Sequence, residues 1–101
     1  DVLSLRTIAG NLDHVALNRA REVSPLRGSL NPISVASKLK AIPQIHYSGG
    51  KDKVIPGWVA ESFVRAVGRG PCVSTRTISR ASHLDGWLPV WKTISRKIPK
   101  C

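Results

Sequence analysis

Residues 43–56 read PQIHYSGGKDKVIP, and this stretch decides the fold. The run 43–48, PQIHYS, has the length and composition of a strand. It stops at Gly49-Gly50, a turn signal. Asp52 follows the turn, and Pro56 suits the first turn of a helix. Within that helix Val59, Phe63, Ala66 and Val67 recur at helical spacing and predict one apolar stripe, with Glu61, Ser62 and Arg65 on the other side. Gly68, Gly70 and Pro71 end it. A strand, a turn bearing a carboxylate and an amphipathic helix make one β-α unit.

The same alternation extends in both directions. Upstream, residues 2–9, VLSLRTIA, predict a strand ended by Gly10-Asn11. Residues 14–30, with Pro25 and Gly28, read as an irregular excursion. Asn31 can cap a helix and Pro32 can open it; Val35, Ala36 and Leu39 share a face, and Pro43 ends the element by about Ile42. Downstream, residues 72–78, CVSTRTI, predict a third strand with one wet face, as at a sheet edge. A third helix is expected from about Leu88, its stripe made by Trp87, Val90, Trp91, Ile94 and Ile98. Trp87 and Trp91 lie one helical turn apart, a spacing that suits packing. The order β-α-β-α-β-α predicts an α/β segment with three parallel strands joined by right-handed crossovers. Such a sheet must be covered on both faces. Three helices are few for that, so an N-terminal partner for the sheet is expected.

The chain has 101 residues and no methionine, and it begins at Asp1, which is the expectation for a piece of a longer protein. No apolar run approaches the roughly 20 residues that span a bilayer. The net charge of +10 comes from 16 Lys and Arg against 6 Asp and Glu. Such a balance can serve a polyanion partner. Here Arg6, Arg19, Arg21, Arg27, Lys51, Arg65, Arg80 and Lys97 are scattered through every segment, which argues for a solvated surface and against nucleic acid. Only Lys92 to Lys100 is dense. Cys72 and Cys101 fit no zinc spacing, and Cys72, after Pro71 at a strand start, reads as a small buried apolar residue.

Two residues carry potential chemistry. Asp52 lies just past the carboxyl end of the second strand, where functional groups of open α/β sheets collect. Read alone, it could equally bind local backbone NH groups in a turn. His83, in SRASHLDGW, lies just past the third strand. One helix and one strand separate the two, so adjacent strand ends place them side by side. A carboxylate that fixes a histidine tautomer is one half of a nucleophilic triad.

With those residues in view, the chain resembles the C-terminal part of α/β-hydrolases. G-G-x-D-x-V-I-P followed by a helix, a strand and S-H-x-x-G-W is similar to their acid and histidine segments. TIAGNLDH, VSPLRGSLNP and IPQIHYSGG extend the likeness upstream, toward a bacterial esterase-like and lipoprotein hydrolase group. The resemblance covers nearly the whole chain. It implies that residues 1–101 are the C-terminal portion of a single domain, with 14–30 a lid-like excursion, and that residues 2–9 form the sixth strand of the parent. It implies Asp52 as catalytic acid, His83 as general base, a small-molecule ester or acyl substrate, and no cofactor. The nucleophile pentapeptide G-x-S-x-G is absent from the sequence, as is the oxyanion-hole segment. Both precede the acid in the family, so they are expected upstream, in the N-terminal part of the same fold, and the chain alone is expected to be inactive. Asp13, after the first strand, is the rival acid, because some α/β-hydrolases place theirs there. A metal site drawn from Asp13, His14, His46, His83 and Asp85 has no metalloenzyme spacing. Two other functional classes stand beside the hydrolase: a non-catalytic interaction protein of the same architecture, and a basic polyanion-binding module.

Overall fold

A computed structural model describes residues 2–24 and 27–101. Pro25, cited above as a mark of the excursion, lies outside the described residues with Leu26 and Asp1. The chain forms β1 (Leu5–Ile8), α1 (His14–Ala20), a 3-10 helix (Pro32–Leu39), β2 (Gln44–Gly49), α2 (Gly57–Val67), β3 (Val73–Ile78) and α3 (Leu88–Arg96). The three strands are parallel in the order β1-β2-β3, with Thr7 beside His46 and His46 beside Thr75. The expected α/β alternation is therefore present, with β2 central. No described helix is long and apolar enough to cross a membrane.

Every residue of β2 is buried, because helices cover both its faces. Ile45 and Tyr47 point to one side, where they meet Ile94 and the partly buried Ile8, Ile78, Trp87 and Val90. His46 points to the other, its ring 5.0 Å from that of Phe63 on α2 and edge-on to it. A larger cluster fills this second side: Leu12, Leu17, Ala36, Ile55, Val59, Phe63 and Val67. The sequence predicts one wet face for β3; instead its four middle residues, which alternate between the two faces, are all exposed.

Several expectations are corrected. Residues 14–30 are not wholly irregular, since α1 occupies His14–Ala20. Asp13 caps it by accepting from the Ala16 N–H at 3.1 Å, and Leu17 anchors it in the core. The element after Asn31 is a 3-10 helix, and its three-residue period aligns Ile33, Ala36 and Leu39 against the core. Val35, off that line, is 43% exposed. Asn31 makes no side-chain cap there. Its side chain instead accepts from the His14 N–H and donates to Asp13 Oδ1. On α2 the buried stripe runs through Ala60, and Ala66 is exposed. α3 ends at Arg96, so Ile98 lies beyond it and is exposed, as is half of Trp91. Arg6 of β1 ends α3 by donating to the carbonyls of Ile94, Ser95 and Lys97, where the negative pole of the helix favours a cation. Cys72 is only half-buried and is joined to Cys101 in a disulfide, which ties the chain after α3 to the start of β3.

Candidate functional site

The site forms where β2 and β3 end. Gly50 N–H donates to the Ile78 carbonyl at 2.8 Å, and Lys51 N–H to the Ala81 carbonyl at 2.9 Å, so the loop leaving β3 lies directly on the loop leaving β2. This approach explains the glycine pair better than turn geometry does. A Cβ on Gly49 would collide with the Ala81 carbonyl, and one on Gly50 would stand 2.7 Å from the Ser79 carbonyl.

Asp52 hangs beneath this crossing with its side chain fully buried. Its Oδ1 accepts the N–H groups of Val54 and Ile55, both at 2.8 Å. Its Oδ2 faces His83 Nδ1 at 3.1 Å. Burial raises the carboxyl pKa. The Ile55 N–H, the His83 bond, the Val54 N–H and the positive charge of His83 outweigh it, so the group sits below its ordinary value. Asp52 is thus a carboxylate at neutral pH and can only accept. It follows that His83 Nδ1 carries a hydrogen, and that in the neutral ring Nε2 is the basic atom. Nε2 has no hydrogen-bond partner among the described residues. The His83 side chain is one-third exposed, at 33%.

The segment around His83 is held from below. Ser82 N–H donates to the Asp85 carbonyl, Ser82 Oγ accepts from the Asp85 N–H, and Trp87 Nε1 donates to the Ser82 carbonyl at 2.9 Å. Trp87 thus packs and supports the loop together. His83 opens into a cavity of about 390 Å3 with Lys51, Lys53, Val54, Leu84 and Asp85 around it. The two lysines flank Asp52 in the sequence, and that position was the available sign that they would border the site.

The other candidates lie elsewhere or act structurally. Asp13 is occupied as the cap of α1, and the carboxylate that meets His83 belongs to Asp52. His14 is the buried first residue of α1, its Nε2 3.3 Å from the Leu30 carbonyl and its Nδ1 unpartnered among the described residues. His46 is fully buried in a network the sequence does not reveal. Gln44 Nε2 donates to the Leu39 and Ile42 carbonyls, so its Oε1 must accept from His46 Nε2. His46 Nδ1 then accepts from the Thr7 hydroxyl at 2.8 Å. Burial lowers its pKa from 6.5 to about 4. No group of three or more His, Cys, Asp or Glu able to hold a metal ion exists among the described residues.

An ionised carboxylate and a histidine that it orients, which borders a cavity and has its second nitrogen without a partner among the described residues, form a proton-accepting pair. No family model, curated protein or solved structure matches this chain.

Proposed function

We propose that this chain supplies the acid and the base of a serine hydrolase of esterase or lipase type, as the C-terminal part of an α/β-hydrolase fold. The observation that carries the reading is the 3.1 Å contact of Asp52 Oδ2 with His83 Nδ1, made across two loops that leave adjacent parallel strands. It is supported by the order of the two residues in the chain, acid before histidine, which is the order of that fold. In this reading a serine outside residues 1–101 attacks an ester carbonyl while His83 Nε2 takes its proton. The tetrahedral intermediate collapses, and His83 returns the proton to the departing alcohol. Water, deprotonated by His83, then cleaves the acyl-serine to the acid and regenerates the serine. Asp52 stays ionised throughout and stabilises the imidazolium. No cofactor takes part.

The test is turnover of a nitrophenyl ester by the protein expressed from the whole reading frame that encodes these residues. His83→Ala should remove nearly all of it. Asp52→Asn, which favours the wrong tautomer, should lower kcat by about ten-thousandfold. The 101 residues alone should do no better than free imidazole, because triad members act as a unit. Turnover that survives His83→Ala would reject the assignment. A folded whole-frame protein without turnover would favour the non-catalytic reading.

A further inference from the structure

The rim of the His83 cavity is positively charged, although the two carboxylates nearest to it are close by in sequence. Asp52 is buried and bonded to Val54, Ile55 and His83, and it makes no ion pair with either lysine among the described residues. Lys51 and Lys53 both line the opening and are both exposed. Neither makes an ion pair among the described residues; the pair of Asp52 with His83 is the one found there. Outside the lining, a further cation approaches the same turn from a distant part of the chain. Arg21, just beyond α1, donates to the Lys53 carbonyl at 2.6 Å. Its guanidinium is therefore held beside the lysine-bearing turn. Against the two lysines stands one exposed acid, Asp85, which also lines the cavity. Ser82 and His83 complete the lining together with two apolar residues, Val54 and Leu84, which are 47% and 85% exposed.

Gathering like charges costs free energy unless an opposite charge joins them, and a cleft lined by one sign raises the local concentration of the opposite sign. We infer that the substrate carries an anionic group, a carboxylate or a phosphate, a few bonds from the ester, and that Lys51 and Lys53 hold it. The inference rests on the hydrolase reading for the ester itself, and on the rim alone for the anion. The ammonium groups meet the anion as point charges, which requires charge more than shape. The apolar rim accommodates the short aliphatic part between anion and ester.

The test measures binding, so it does not depend on a nucleophile. The whole-frame protein is titrated with monomethyl succinate and, separately, with uncharged dimethyl succinate, while the His83 ring signals are followed by NMR. Monomethyl succinate should bind at least tenfold more tightly than the diester at low salt, and the difference should shrink as salt rises. Lys51→Gln with Lys53→Gln should abolish the preference. Lys51→Arg with Lys53→Arg, which keeps the charge, should retain it and so guards against a mere loss of structure. Monomethyl phosphate in place of the succinate distinguishes the two anions, and tight binding of either supports the inference. Equal response to charged and uncharged esters, no saturable response to any of them, or a preference that survives the glutamine pair would overturn it. Loss of the hydrolase reading would show instead as absent turnover with anion binding intact.

Discussion

His46 and His83 share a residue type and differ in everything that decides function. His83 has one nitrogen held by a carboxylate, the other without a partner among the described residues, and lines a cavity. His46 has both nitrogens bonded inside the sheet, to Thr7 and to Gln44, and no room to take up charge. Its pKa falls from 6.5 to about 4, so above pH 6.5 it is neutral folded or unfolded and contributes no pH dependence. As pH drops from 6.5 toward 4, the unfolded chain binds a proton that the folded chain refuses, and stability declines by up to roughly 3 kcal/mol before levelling off. Urea unfolding at a series of pH values should show this fall in the wild type. In His46→Gln, whose amide can both donate and accept, that part of the slope should vanish; an unchanged slope would place the titration elsewhere. Asp52 acts lower on the scale. Its depressed pKa contributes stability above the ordinary value of 3.8, and that contribution disappears as pH falls below it. The sequence made Asp52 and His83 readable because both follow strand ends, a position that topology converts into proximity. It could not make His46 readable, since a histidine in a buried strand shows its role only through partners on a neighbouring strand.

Elements were legible where a periodic apolar pattern met a clear stop, as in β2 and α2. They were less so where a side-chain bond decided the local structure. Pro25 and Gly28 make residues 14–30 read as irregular, yet the bond of Asp13 to Ala16 N–H starts α1. Asp13→Ala removes that acceptor and also the partner of Asn31, which ties α1 to the 3-10 helix. The expected loss is about 1–2 kcal/mol, read as a lower urea midpoint. A midpoint shift worth less than about 0.3 kcal/mol would mean that the cap contributes little and that Leu17 alone seats the helix. The 3-10 helix was placed correctly but with the wrong period, which is why Val35 was assigned to the core in place of Ile33. α3 shows a third limit. Its sequence stripe predicted helix as far as Ile98, whereas Arg6, from the opposite end of the chain, closes it at Arg96. Such long-range caps, like the disulfide between Cys72 and Cys101, 29 residues apart, leave no local trace in a sequence.

At the scale of the whole molecule, β2 is covered on both faces while the strands at the two edges of the sheet are partly open. β1 is one terminal strand in the described sheet, and Val2 and Leu3 just before it are 65% and 84% exposed. Apolar surface also remains on α3, at Leu88 and Trp91. In the proposed fold the strand that bears the nucleophile lies along the open edge of β1, on the far side from β3. The acid-histidine pair is already positioned without it, because the glycine-lined crossing of two loops is local to β2 and β3. In the proposed reading His83 activates a serine outside these 101 residues. The most direct measurement is labelling of the whole-frame protein with a fluorophosphonate, followed by mass spectrometric location of the modified residue. One labelled serine is expected, outside residues 1–101 and within a G-x-S-x-G turn, with labelling lost in His83→Ala. A label on a serine within residues 1–101, labelling indifferent to His83, or no labelling of the folded protein would contradict it.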